Sequence, residues 1–236
     1  VVTLRSTATR AVISRSALTA HAKAAVAAGG RVADLRRDAY GHGLHQVADA
    51  VLLAGADGVR VDDAETARML RADGLDASAT TEPDIDPAAL YGFPTGAGAD
   101  SVDRPVMRLS GRVMSIKPLR RGEAVSYGYT HRAERDTTVA LVTGGYAQAV
   151  VRALGNRAHV ELRGRVHPIV GRVAMDVCVV DLGATDAAAD EGEEVTYFGG
   201  GGPAAGFLAE WSAVTGLTAA ELACAVGLRA ARAEED

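Results

Sequence analysis

The stretch Val32–Gly43, VADLRRDAYGHG, decides how the first third of the chain is read. Val32 to Leu35 is short and largely apolar, as a strand would be. Gly41 and Gly43 bracket His42 in a tight turn, and Val47, Val51 and Leu52 then recur at helical spacing. A strand, a glycine loop and a helix in that order form one unit of a parallel sheet. In such sheets, ligands gather at the loops that follow the strand ends. His42 has two readings at this point: a local hydrogen-bonding group of the turn, or part of a site.

Working outward, Ala11–Ile13 reads as a strand, and Ser16 as the N-cap of an alanine-rich helix that Gly29–Gly30 ends. Gly58–Val61 reads as a further strand. Asp62 or Asp63 then caps a helix with Met69 and Leu70 on its inner face. Strand–helix units in series predict parallel strands with both faces covered. From Gly74 to about Asp103, Asp, Pro, Thr and Gly predominate, which predicts a linker or irregular crossover broken by Ala88–Tyr91.

From Val106 to Phe198 the pattern changes to short runs rich in β-branched residues, among them RLSGRVMSI, TTVALVTGGY and EEVTYFG, separated by glycine or charged turns. Their number predicts a closed or sandwiched β domain. Phe207 to Arg232 returns to helical spacing and predicts one or two helices packed on that domain.

Composition narrows the function classes. The 25 Lys and Arg stand against 30 Asp and Glu, a formal net charge of -5, which argues against bulk nucleic-acid binding. Only Lys23 and Lys117 are lysines, so a primary amine for carbonyl chemistry is scarce. The two cysteines, Cys178 and Cys224, define no disulfide framework, and a reducing, cytoplasmic location is the expectation. No run reaches the length of a membrane span, and the first residues lack the order of a signal peptide. The six histidines are scattered and no CxxC pair is present, so no metal site is expected. Neither a GxGxxG nor a GKS/GKT motif occurs.

Three residues of the second half have a chemical reading as well as a structural one. Tyr127, in Ser126–Tyr127–Gly128, reads as a strand tyrosine that packs, or as a proton carrier if a nearby cation or donor lowers its pKa from about 10. Met175 reads first as a structural methionine. Asp176, beside it in an apolar β run, belongs either on the surface or in a site, because a carboxylate facing a core needs a partner.

With these residues in view, the chain resembles the alanine racemases, pyridoxal-phosphate enzymes of fold type III. The likeness is carried by RRDAYGHG (36–43), ADGVRVDDAETARMLRADG (56–74), ALYGFP (89–94) and the stretch from VMRLSG to VVDLG (106–183), in the family's order. The resemblance implies an α/β plus all-β chain. Residues 1–92 would be the remnant of a parallel (β/α) barrel with most units missing, 93–104 a linker, and 105–236 a β domain with C-terminal helices. It implies a homodimer, or a heterodimer with a full-length relative, without nucleic-acid or membrane partners.

The family's cofactor lysine falls on Arg36, so the resemblance raises a question: why does this loop carry an arginine where an amine is needed? A guanidinium is delocalised and permanently protonated, and cannot condense with an aldehyde. The arginine that the family directs at the cofactor ring falls on Ile85, and a late phosphate-contacting tyrosine falls on Ala220. Other positions are kept: Tyr127 matches the catalytic tyrosine, Tyr40 and Tyr146 fit a phosphate site, and Met175 with Asp176 match the substrate entrance. Gln148 stands where an acidic residue is expected. Between Leu75 and Ala88 about a dozen residues replace most of the barrel, and so short a segment cannot hold five or six strand–helix units. The remaining parallel edges need a cover from the β domain, another chain or a rearranged sheet.

The expectation is therefore a relative that has lost pyridoxal-phosphate-dependent racemisation, binds no cofactor, and acts in binding, scaffolding or regulation. One alternative is a repurposed, cofactor-independent enzyme for a small amino-acid-like or carboxylate substrate, with Arg36 as anion fork and Tyr127 or His42 as acid–base group. The other is a persisting racemase that uses an amine elsewhere.

Overall fold

A computed structural model of the protein describes residues 9–95, 105–184 and 189–236; residues 96–104 of the expected linker lie outside them. In chain order the elements begin with β1 (Arg10–Ser14), α1 (Arg15–Ala27), β2 (Val32–Asp34), the helical turn α2 (Arg36–Tyr40), α3 (Leu44–Leu53), β3 (Gly58–Arg60), α4 (Ala64–Ala72), β4 (Ala77–Ser78) and α5 (Pro87–Tyr91). There follow β5 (Met107–Leu119), β6 (Ala124–Val125), β7 (His131–Arg132), β8 (Thr137–Thr143), β9 (His159–Leu162), β10 (Arg165–Val170), β11 (Val177–Gly183) and β12 (Glu194–Phe198). The chain then forms α6 (Phe207–Thr215), α7 (Ala219–Arg229) and β13 (Ala231–Glu235).

The β-branched runs form a closed antiparallel barrel. Its order is β12, β9, β10, β11, β8 and β5, and β5 pairs back onto β12. Alternation does the sorting: in β11, Cys178, Val180 and Leu182 are buried while their neighbours are half-exposed. The long β5 serves three partners, pairing with β1 through Met107–Ser110, with β12 through Leu109–Arg112, and with β8 through Val113–Leu119. Gly111 permits this crowding, since a Cβ there would stand 2.3 Å from the Thr143 carbonyl oxygen. Helix α6 docks Trp211, fully buried, edge-on against Phe198 and Tyr197, with ring centroids 5.2 and 6.2 Å away.

The second sheet is small and parallel, in the order β2, β3, β4. Ala33, Val59 and Ala77 join one apolar cluster with Val47 and Val51 of α3 and Ala67 and Leu70 of α4. The chain covers the outer edge of β2 itself. Asp84 Oδ1 accepts the N–H groups of Arg31 and Val32, both at 2.7 Å, and the N–H groups of Asp84 and Ile85 donate to the Val32 carbonyl at 3.0 and 3.1 Å. At the opposite edge, Arg71 Nη1 donates to the Ala77 carbonyl at 3.0 Å.

Several expectations from sequence need correction. Strand β1 is not part of the parallel sheet: it lies antiparallel to β5 and parallel to β13. The tail does not stay helical to Arg232, because residues 231–235 add to β1 as that last strand. Helix α1 is capped by Ser14, whose Oγ accepts the Ala17 N–H, and not by Ser16, since the helix begins at Arg15, two residues before the start that a Ser16 cap implies. Met69 is 53% exposed, and only Leu70 faces inward. The segment read as an irregular crossover from Gly74 contains β4, the edge-covering pair Asp84–Ile85 and α5.

Candidate functional site

The end of β2 carries the first cluster. Asp34, the last residue of the strand, is 4% exposed, so its carboxylate must find donors within the protein. It finds four. Oδ1 accepts the backbone N–H and the Nε–H of Arg36 at 3.1 and 2.9 Å; Oδ2 accepts Arg36 Nη2 at 2.7 Å and the Tyr40 hydroxyl at 3.0 Å. The Tyr91 hydroxyl donates to the Asp34 carbonyl at 3.0 Å. Burial alone would raise the Asp34 carboxyl, but the hydrogen bonds from Arg36 and Tyr40 outweigh it and hold the group below the usual carboxylate range. Arg36 is raised further above its already high value, chiefly by its hydrogen bond to Asp34. Burial and the Asp34 charge push Tyr40 up to about 12.

The turn that follows is left-handed. Arg37, Asp38, Ala39 and Tyr40 have φ between 53° and 56°, a region that costs a non-glycine residue roughly 1–2 kcal/mol. Contacts from several sides hold it there. Asp62 Oδ2 accepts the Arg37 N–H at 2.7 Å, Asp38 Oδ1 accepts the Leu44 N–H at 2.7 Å, and Arg232 of β13 pairs with Asp38. His42, with no exposed surface, stacks on Tyr91 at 4.4 Å and shares its Nδ1 proton between the carbonyls of Ala39 and Tyr40, at 3.0 and 3.2 Å. Both partners are acceptors, which places the proton on Nδ1. Burial pushes His42 down to about 4, so the ring is neutral near pH 7 and walled off from any substrate.

Helix α7 closes over this turn, where Gly41, at φ 81°, meets Gly227. A Cβ on Gly227 would lie 2.3 Å from the Gly41 Cα, and backbone atoms cannot yield as a side chain can. Gly227→Ala should therefore lower stability by roughly 1–2 kcal/mol, read as a drop in melting temperature. An unchanged melting temperature would mean that the two backbones are not in contact.

The second cluster lies on the barrel. Tyr127 is not in a strand but in a 3-10 turn, Tyr127–Tyr129, and is 72% exposed. Ser126 anchors that turn by donating from Oγ to the Arg172 carbonyl at 2.6 Å. Asp176 is likewise outside β11, on an exposed turn with Met175, so its carboxylate never faces a core. Backbone bonds lace this turn to Tyr146: the Tyr146 N–H donates to Ala174 at 3.0 Å, and the Ala147 N–H to Met175 at 2.9 Å. Gln148, where an acid was expected, donates to Asp176 Oδ1 at 3.0 Å. Arg152 sits over the Tyr146 ring at 5.5 Å. Beside the Tyr127 turn lies a groove of about 750 Å³, lined by Lys117, Tyr129, Leu141, Arg172 and Val179 among others. The structure thus gathers Tyr146, Met175 and Asp176 on one side and Arg36, Tyr40 and His42 on the other, with α7 in contact with both α2 and the Tyr146 turn.

These residues do not fit pyridoxal phosphate. No amine stands at the end of β2, and the guanidinium there already has a carboxylate partner. Ile85 is 4% exposed and packs against Gly30, and Ala220 offers no hydroxyl. Among the described residues, no group of three or more His, Cys, Asp or Glu side chains is placed to hold a metal ion, and no single helix is long and apolar enough to cross a membrane. Sequence reasoning missed Asp34; its signal was an acid ending an otherwise apolar strand, two residues before an arginine.

Comparison with known proteins agrees with this architecture. The alanine racemase of Streptomyces lavendulae superposes with a TM-score of 0.82 at 20% identity, over 98% of each chain. That of Bartonella henselae, whose structure has covalently bound pyridoxal phosphate, gives 0.78 at 17% identity, over 97% of this chain and 99% of the other. At such identities the likeness establishes the fold. The family described as "Alanine racemase, C-terminal domain" matches residues 106–234, and the chain belongs to it. Alanine racemase of Mycolicibacterium vanbaalenii is 41% identical over 156 residues, 63% of this chain and 38% of that one. The chain spans well under half the length of the curated relatives it matches first.

Proposed function

We propose that this chain is an alanine-racemase relative that has left pyridoxal-phosphate-dependent racemisation and works by binding a partner chain. The observation that carries the reading is the Arg36–Asp34 pair. Where the family resemblance calls for a reactive amine, a permanently charged guanidinium is held by a buried carboxylate. In this reading the β2–β4 sheet is what remains of a barrel, within a unit of residues 1–92. A linker, 93–104, joins it to the β domain, 105–236, which contributes the exposed Tyr127, Met175 and Asp176 to a homodimer or to a heterodimer with a full-length relative.

The alternative of a repurposed enzyme has less support. His42 is buried and neutral, and the Nε–Nη2 edge of Arg36 is already occupied. Absorption titration with pyridoxal phosphate, run beside an assay for interconversion of D- and L-alanine, tests the proposal. No saturable band and no turnover are expected; either one would overturn it.

A further inference from the structure

We propose that Asp34 is a positioning residue that determines the chemistry of position 36: its carboxylate reserves that position for a cation and holds the cation in an internal pair, closed to aldehydes. This deepens the reading above and rests on it for the significance of position 36. It goes further, because it says that exchanging arginine for lysine would not by itself return a reactive amine.

A carboxylate presents about four lone-pair directions, and all four donors on Asp34 come from Arg36 and Tyr40. The group is 4% exposed, so its charge is met chiefly by the cation beside it and only partly by water if that cation is lost. A lysine ammonium at position 36 would carry the same charge beside the same carboxylate. An amine attacks an aldehyde only through its unprotonated lone pair, forming the C–N bond as water leaves, and an ion-paired ammonium has no such lone pair. The other titratable groups facing this point are Tyr40, whose ring reaches Asp34, and Asp62, with Tyr91 and Cys224 beyond Tyr40. None of them supplies a positive charge that would expel the proton.

The test uses the full chain carrying Arg36→Lys, with and without Asp34→Asn, and formaldehyde with cyanoborohydride as the probe, the borohydride supplying hydride to fix each C–N bond. Peptide mapping reads methylation at each lysine, with exposed Lys23 as the internal reference. In Arg36→Lys the new amine is expected to react at least about tenfold more slowly than in the double variant at pH 8, a difference of about one pKa unit. Equal rates would overturn the proposal. Arg36→Lys keeps the charge, and its pH profile alone gives a second reading: a midpoint above the free-lysine value of about 10.4 is expected, and one at or below it overturns the role of Asp34. Wild-type protein titrated with pyridoxal phosphate separates the two ideas, since covalent capture there would refute the proposed function without touching the rates in the variants.

Discussion

Acidifying the protein from pH 7 to pH 4 should remove about 3 kcal/mol of stability through His42 alone. The ring is completely buried and its pKa is pushed down to about 4, against about 6.5 in an unfolded chain. Between those values the unfolded state binds a proton that the folded state refuses. Stability is therefore full above pH 6.5 and falls as the pH drops through 4; 2.5 pKa units correspond to about 3 kcal/mol. Urea unfolding at half-unit pH steps reads this directly. His42→Phe keeps a ring against Tyr91 and loses the hydrogen bonds of Nδ1, so it should start lower but lack most of the slope between pH 6.5 and 4. An unchanged slope in that variant would mean that another group is responsible.

Removing the guanidinium should be as costly. Arg36→Ala leaves the Asp34 carboxylate buried with only the Tyr40 hydroxyl and a backbone N–H, and a broken buried pair costs about 3–5 kcal/mol. The Arg36 side chain is 46% exposed, so water can partly take its place, and the low end, about 3 kcal/mol, is expected. The pH dependence distinguishes this from lost packing. In the wild type, Asp34 titrates below its unfolded value, so its contribution is present above about pH 4 and is lost below it. In Arg36→Ala, burial without a counterion raises the same carboxyl above its unfolded value. Protonation then relieves the variant as the pH falls, and the gap between the two proteins should close toward pH 4. A gap that stays constant from pH 7 to pH 3 would show that the loss is not electrostatic.

How much of this was legible in the sequence depends on whether the signal was local. The β-branched run VCVVDL was legible as a strand, but not its facing: Val177 and Val179 are as apolar as Cys178 and Val180, and only the barrel buries Cys178, Val180 and Leu182 in preference. The closure of the barrel was legible only as a number of strands; that β5 pairs with β12 through Gly111 and Val195, while Gly111 also stands against Thr143 of β8, is encoded by no periodicity. Strand β1 was visible as a strand but not as a partner of β5, because five residues carry no record of which sheet they join. Strand β13, ARAEE, has no β-branched residue and is extended because β1 offers it a free edge. At the site, the glycines of GHG pointed to a turn, yet the left-handed run Arg37–Tyr40 runs against the intrinsic preference of every residue in it. It exists through contacts from Asp34, Asp62 and Arg232, which are remote in sequence or unremarked within it. That Arg36 stands where the resemblance calls for a lysine was readable; that Asp34 holds it was not, because burial of a carboxylate is a property of the fold.

Position 36 holds a charge already satisfied within the protein. A crystal structure of the wild-type chain grown with excess pyridoxal phosphate tests it most directly. Arg36 Nε and Nη2 should lie within hydrogen-bonding distance of both Asp34 oxygens, with no density joining the ring to any side chain. Arg36 turned away from Asp34, or density running from the ring's aldehyde carbon into the protein, would contradict it.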